Sequence, residues 1–287
     1  VALAFALVAM APGDVIDQLP NSDAARPALE AAWGLDQPPL RRLGTWLSRA
    51  ASGDLGRSWA VRPGAPVSEL LAGPAIASVG RVLGAAALAT LLAGAMAVLR
   101  VSERWSGWVS AAPTLVGVHV LVLALNEGAW ALMGGGWIER PSWFALPDQA
   151  SWLREALAVC VLAVGSGSLS EAHQELRAAA DRTRHSPLAD ATRARGEPLW
   201  PLLLRHAAPT ACSVAAARVA ALWGGAVVVE KLLLLPGAGA TLWDAANSRD
   251  LELVLGCVAL AAGVVASTRL ASDLGRWWLD PRLRSSP

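Results

Sequence analysis

The chain reads as an all-α, polytopic membrane helical bundle of about six transmembrane helices. Three observations carry that reading: charge is scarce, the apolar residues are clumped, and each clump is about as long as a membrane crossing. Charged residues make up 16% of the 287 positions and hydrophobic ones 54%, with a mean hydropathy of +0.43. A soluble domain carries about a quarter charged residues. The runs 75–99, 109–133 and 211–229, with the stretch after Leu251, are each about long enough to cross the hydrocarbon core, which takes ~20 residues as helix. Helices follow because lipid offers no partner to an open backbone group.

In chain order, the opening run Val1–Ala11 is too short to span and reads as the outer part of a first span. Residues 12–74 are polar, with Gly, Pro and charges of both signs, and are long enough to form an ordered extramembrane element. Span two is expected over 75–99 and ends at Arg100, with Glu103 and Arg104 in a short loop. Span three, 109–133, is broken by Gly134-Gly135-Gly136 and Pro141. Span four, 152–170, is shorter and interrupted by Gly165-Ser166-Gly167-Ser168. Residues 171–206 are polar, with six Arg against five acids; span five follows at 208–229 and span six at 251–270 or a little beyond.

Six spans put both termini on one side, together with the Arg-rich 100–108 and 171–206 segments, and the positive-inside rule places that side in the cytoplasm. Segment 12–74 is then extracytoplasmic; its six Arg do not oppose this, since long loops cross largely regardless of charge. Trp105, Trp108, Trp137, Trp143 and Trp152 lie near the ends of apolar runs, where indole favours the interface or packs the bundle. Cys160, Cys212 and Cys257 lie inside apolar runs without metal spacing, and such cysteines behave as buried small hydrophobes. A net charge of +1 and the lack of a basic patch with interleaved aromatics argue against a nucleic-acid partner.

The most informative residues lie in 186–206. Ser186-Pro187 starts a helix well, because Ser caps free N–H groups and Pro at the first position loses no bond. The helix continues through Leu188-Ala189-Asp190-Ala191-Thr192-Arg193-Ala194-Arg195. Gly196 ends it, since Gly takes the left-handed conformation at little cost. A second helix rises from Leu202 through His206 to Pro209 and span five, preceded by Pro198 and Pro201. The result is a cytoplasmic helix–turn–helix knob continuous with the bundle.

Asp190-Ala191-Thr192-x-x-x-Gly196, with Pro209 thirteen residues on, resembles the EAA motif of ABC importer permeases, with Asp for Glu and Thr for Ala. The flanks resemble the dipeptide/oligopeptide/nickel branch of that family: Ala11-Pro12-Gly13-Asp14, Gly34-Leu35-Asp36-Gln37-Pro38 and Gly53-Asp54-Leu55-Gly56-Arg57-Ser58 early in the chain. Gly224-Gly225-Ala226-Val227-Val228-Val229-Glu230, Pro236-Gly237-Ala238-Gly239, Asn247-Ser248-Arg249-Asp250 and Leu279-Asp280-Pro281-Arg282-Leu283-Arg284 follow in family order.

The resemblance implies a single transmembrane permease domain over 1–287 in the bacterial inner membrane. Its partners would be a second homologous permease subunit, two ATPase subunits, an extracytoplasmic substrate-binding protein and membrane lipid. Leu188, Asp190, Ala191, Thr192, Arg195 and Gly196 would couple to the ATPase. ATP would be bound by the partners and no cofactor by this chain, which has no Gly-x-x-x-x-Gly-Lys-[Ser/Thr] phosphate loop. Peptides, nickel chelates and other small solutes are all carried by this branch.

Gly224-Gly225 suits close helix contact and, with Arg218, is assigned to the translocation pathway. Arg218 has apolar neighbours on both sides within span five. A charge there faces a bundle interior or a water-filled cavity, where it would attract an anionic group, or its stem snorkels to the interface. Two other readings are carried forward. One is an intramembrane serine protease built on Ser166 or Ser168 with His119, since Ser and His must come within hydrogen-bond reach. The other is a permease-like scaffold without transport activity.

Overall fold

The computed structural model describes residues 37–99, 151–165, 167–233 and 235–279, together with Ala2 and Phe5. The rest of the expected first span, span three with its Gly134–Gly136 and Pro141 break, Trp105, Trp108, Trp137, Trp143, His119 and Ser166 lie outside the described residues. So do Ala11–Asp14, Gly34–Asp36 and Asp280–Arg284. Among the described residues every regular element is a helix: α1 Pro39–Ala51, α2 Val67–Val98, α3 Ser151–Gly165, α4 Ser168–Arg184, α5 Pro187–Ala194, α6 Trp200–Leu232, α7 Ala238–Asn247 and α8 Leu251–Leu279.

Three of these, α2, α6 and α8, are long and apolar enough to cross a membrane; counting the bent pair α3–α4 as one span makes four. The longest has 33 residues, about 50 Å of helix against a hydrocarbon core of ~30 Å, so these helices project beyond the lipid. Exposed indoles sit near helix ends, at Trp152, Trp200, Trp277 and Trp278, as interfacial anchors do. Cys160 departs from its expected burial: it is exposed on α3, and all three cysteines are free.

Span boundaries move outward from those expected. Span two is expected to start after Pro74, yet α2 begins at Val67 and carries Pro74 inside it; a membrane bundle tolerates the lost bond because neighbours re-satisfy the freed group. Likewise α6 begins at Trp200, with Pro201 in its first turn, where Pro costs no bond. Span four does break at its Gly-Ser run. Gly167 has φ +76°, a conformation that favours Gly, and α3 and α4 meet there at 58°. Beyond the break the chain is not the loop its charges suggest: Leu169, Ala172, His173, Leu176, Ala179 and Ala180 make one buried face of α4, at helical spacing.

Contacts divide the chain into two units, 1–78 with 236–263, and 79–235 with 264–287. In the first, Phe5, Trp46, Trp59, Leu251 and Leu255 form one core cluster, and Val67, Leu71, Ala245, Leu253, Val254 and Cys257 another. Gly256 lets α2 and α8 approach there, since a Cβ would stand 2.5 Å from Val67 Cγ1. The Asp250 carboxylate, fully buried, ties the polar segment down. It accepts from Ser58 Oγ at 2.5 Å and from the backbone N–H groups of Trp59 at 2.9 Å and Ala60 at 3.0 Å. Glu252 accepts from the Arg57 N–H at 2.6 Å and from Arg49 Nη2 at 2.7 Å. Helix α7, which follows the expected Pro236-Gly237 turn, starts with its Ala238 N–H donated to Ser78 Oγ at 2.8 Å.

The second unit packs α3, α4 and α6 with the remainder of α2. Ala85, Ala89, Ala93 and Ala97 of α2 are buried at four-residue intervals, small enough to let neighbouring helices come close. Arg81 of α2 is buried between Glu155 of α3 and Glu230 of α6.

Candidate functional site

The knob forms as its local chemistry dictates. Ser186 sits in extended conformation before α5, and its Oγ accepts the Ala189 N–H at 3.3 Å, satisfying one donor that a helix start leaves open. Pro187 is in the first turn. At the other end the Gly196 N–H bonds the Arg193 carbonyl at 2.9 Å, and Gly196 has φ +72°. Glu197 continues the cap, its N–H reaching the Thr192 carbonyl at 3.1 Å.

Helix α5 has two faces. Ala189 and Thr192 are buried, while Leu188, Asp190, Ala191, Arg195 and Gly196 are exposed. Asp190 is engaged by Arg193 at 2.6 Å and Arg195 by Glu197 at 3.0 Å. Both pairs are solvent-exposed and contribute little to stability. Leu188 presents an exposed apolar side chain between them.

Beside this face runs a groove of about 740 Å³, lined on one side by Leu188, Thr192 and Arg195 and on the other by Pro201, Leu202 and Arg205. The structure therefore gathers Leu188, Thr192 and Arg195 at one groove. Asp190 and Ala191 do not line it, and Gly196 serves as the turn. Pro201, Leu202 and Arg205 have no site role in the sequence reading, which takes them only as the start of the second helix; all three lie in the first two turns of α6.

The residues assigned to the pathway lie on α6. Arg218 forms ion pairs with Glu171 and Glu175, which are one turn apart on α4. Its charge is thus answered within the chain, and the trio carries a formal net charge of −1 from one cation and two carboxylates. Gly224 is exposed with open space around it, in line with exposed Ala217, Ala220 and Ala221. Gly225 turns the other way, toward Leu162 of α3, where a Cβ would stand 3.4 Å from Cδ2. Ser168, one of the two serines of the protease reading, is a buried residue at the start of α4.

Two buried groups of charge escaped the sequence reading. Arg81 gives Nε and Nη2 to Glu155 at 2.6 and 2.9 Å and Nη1 to Glu230 at 2.8 Å. A charge within a span was the signal, available at Arg81 and Glu155 as it was at Arg218. Arg184 is buried at the end of α4; among the arginines of a polar stretch nothing distinguished it.

Comparison with known proteins bears on the whole chain. The family model described as "binding-protein-dependent transport system inner membrane component" matches residues 85–285. A protein of Brucella ovis named as a peptide permease is 28% identical over 306 aligned residues, covering 98% of this chain and 93% of that protein. The oligopeptide transport system permease proteins OppB of Salmonella typhimurium and Escherichia coli K12 are each 27% identical, over 99% of this chain and 94% of theirs. None of these relatives favours a protease.

Proposed function

The chain belongs to the family of binding-protein-dependent transport system inner membrane components, and from that premise we propose that α5 and the turn at Gly196 are where an ATPase subunit docks. The protein is a multi-pass inner-membrane permease subunit of an ABC importer. Its partners on this reading are a second homologous permease, two ATPases and an extracytoplasmic binding protein. ATP binding and hydrolysis belong to the ATPases, and this chain contributes no catalytic group. The names of its relatives, peptide and oligopeptide permeases, support peptides or similar small solutes as cargo.

The observation that carries the docking role is the two-faced knob. Helix α5 is seated through Ala189 and Thr192 and offers Leu188, Asp190, Ala191 and Arg195 outward, beside an open groove. An apolar anchor ringed by charged groups is what a protein partner of complementary shape needs. Arg218 and Gly224 belong to the pathway side of α6 in the same reading. The support is the exposed strip of small residues around Gly224, which lets a second subunit or a solute approach the backbone. Transport then proceeds by a population shift between inward-open and outward-open states, driven by ATPase closure at the knob.

The test replaces Gly196 by Val. At φ +72° a β-branched side chain is strained by about 1–3 kcal/mol, which distorts the turn without touching the membrane bundle. The expected result is loss of ATPase co-purification and of coupled uptake. Intact coupled uptake in Gly196→Val overturns the docking role.

A further inference from the structure

Arg184 closes α4 and is only 5% exposed, and its contacts reach two other elements. Nη2 donates to the carbonyl oxygens of Ala97 at 2.7 Å and Val98 at 3.0 Å, at the C-terminal end of α2. Nη1 donates to Asp181 Oδ1 at 2.8 Å, one turn back in α4. Its own carbonyl accepts from Arg193 Nη2 of α5 at 2.9 Å.

The chemistry of each contact is specific. A helix C-terminus leaves its last carbonyls without intrahelical partners and carries partial negative charge. A guanidinium answers both demands, because it is always charged and presents several donors in a fixed fork. Arg184 thus occupies the open end of α2 with one nitrogen and keeps its charge balanced by Asp181 with another. The α5 knob hangs from the same residue: only His185 and Ser186 separate α4 from α5, and Arg193 spans that link by binding back to the Arg184 carbonyl.

We propose that Arg184 is a positioning residue that makes the α5 knob and the adjoining end of span α2 one mechanical body, so that a displacement of the knob is delivered to a membrane-crossing helix. The proposal rests on the docking role of α5 proposed above. A push on α5 passes through Arg193 to the end of α4, and through the Arg184 guanidinium to the last turn of α2. Hydrogen bonds to charged donors are about twice as strong as neutral ones, and burial shields them from competing water. The three elements therefore shift together.

The experiment uses the assembled transporter in proteoliposomes, with binding protein and a transported peptide, and reads ATP hydrolysed per solute imported. Arg184→Gln is expected to raise that ratio about tenfold, within the range of coupling between distinct sites. Arg184→Lys is expected to recover part of the loss, since an ammonium keeps the charge but not the fork. A role confined to stability would lower the yield or the melting temperature and leave the ratio of the surviving complex unchanged; that result overturns the proposal.

A second measurement does not depend on the variant assembling. Spin labels at Leu99 and Ala194, both exposed, are introduced into the otherwise wild-type transporter with its native cysteines replaced. Their separation is expected to be the same in nucleotide-free and ATP-trapped states. A distance that changes between the states overturns the proposal. An unchanged ratio in Arg184→Gln, with Gly196→Val defective, overturns the role of Arg184 alone. Intact coupling in Gly196→Val overturns the docking reading beneath it.

Discussion

Arg81 Nη1 donates to Glu230 Oε1 at 2.8 Å across helices α2 and α6, with the two side chains 2% and 0% exposed. The remaining face of the guanidinium is held bidentately by Glu155 of α3. Three helices are therefore tied at one point by charge. Removing one partner of a buried pair strands the other, which costs more than the intact pair contributes.

Arg81→Leu should accordingly destabilise the folded protein by about 3–5 kcal/mol, because Glu230 then lies buried without its cation. Arg81→Leu with Glu230→Leu should recover much of that loss. Monodisperse protein remaining after graded heating in detergent measures both. A single variant as heat-resistant as the parent would show that the tie contributes nothing.

Arg218 gives a different expectation, because Glu171 and Glu175 are about half exposed while Arg218 is 15% exposed. A pathway-facing Arg218 predicts that Arg218→Gln lowers uptake of anionic cargo by about threefold, the size of a partly screened ion pair. Assembly and ATPase activity should persist. Glu175→Gln should act in the opposite sense, since it leaves more of the cation unanswered. Uptake that ignores cargo charge in both variants assigns the trio to holding α4 against α6.

The orientation predicts labelling. With Cys160, Cys212 and Cys257 replaced, a single cysteine at exposed Arg62 should react with an impermeant thiol reagent added outside intact cells, and one at exposed Arg193 should not. The opposite pattern would invert every assignment of sides made from the arginines.

Much of this architecture was legible in the sequence. The apolar runs behind α2, α6 and α8 declare themselves because lipid demands unbroken hydrophobicity. The ends of α5 were equally readable, since Ser186 and Gly196 act through bonds and dihedrals local to each residue. Helix α4 was hidden because its buried face is a stripe of Ala and Leu under many charges, so its composition resembles a loop. The Gly196 turn could be read; the clamp at Arg184 could not. Its acceptors are backbone carbonyls 86 and 87 residues away, and a carbonyl has no sequence signature.

The Asp250 carboxylate also has a consequence for the order in which the protein is made. The loop at 58–61 folds around a group 192 residues further along the chain, so the early polar segment stays open until the start of α8 has been made and, in the orientation expected from the arginines, has crossed to the same side of the membrane. Synthesis proceeds from the N-terminus at about 5–20 residues per second, which leaves Ser58 and its neighbours without their acceptor for roughly ten to forty seconds. During that interval the segment is open to whatever proteases share its side of the membrane. Chains stalled before Asp250 would then be cut within residues 37–66, while completed chains resist.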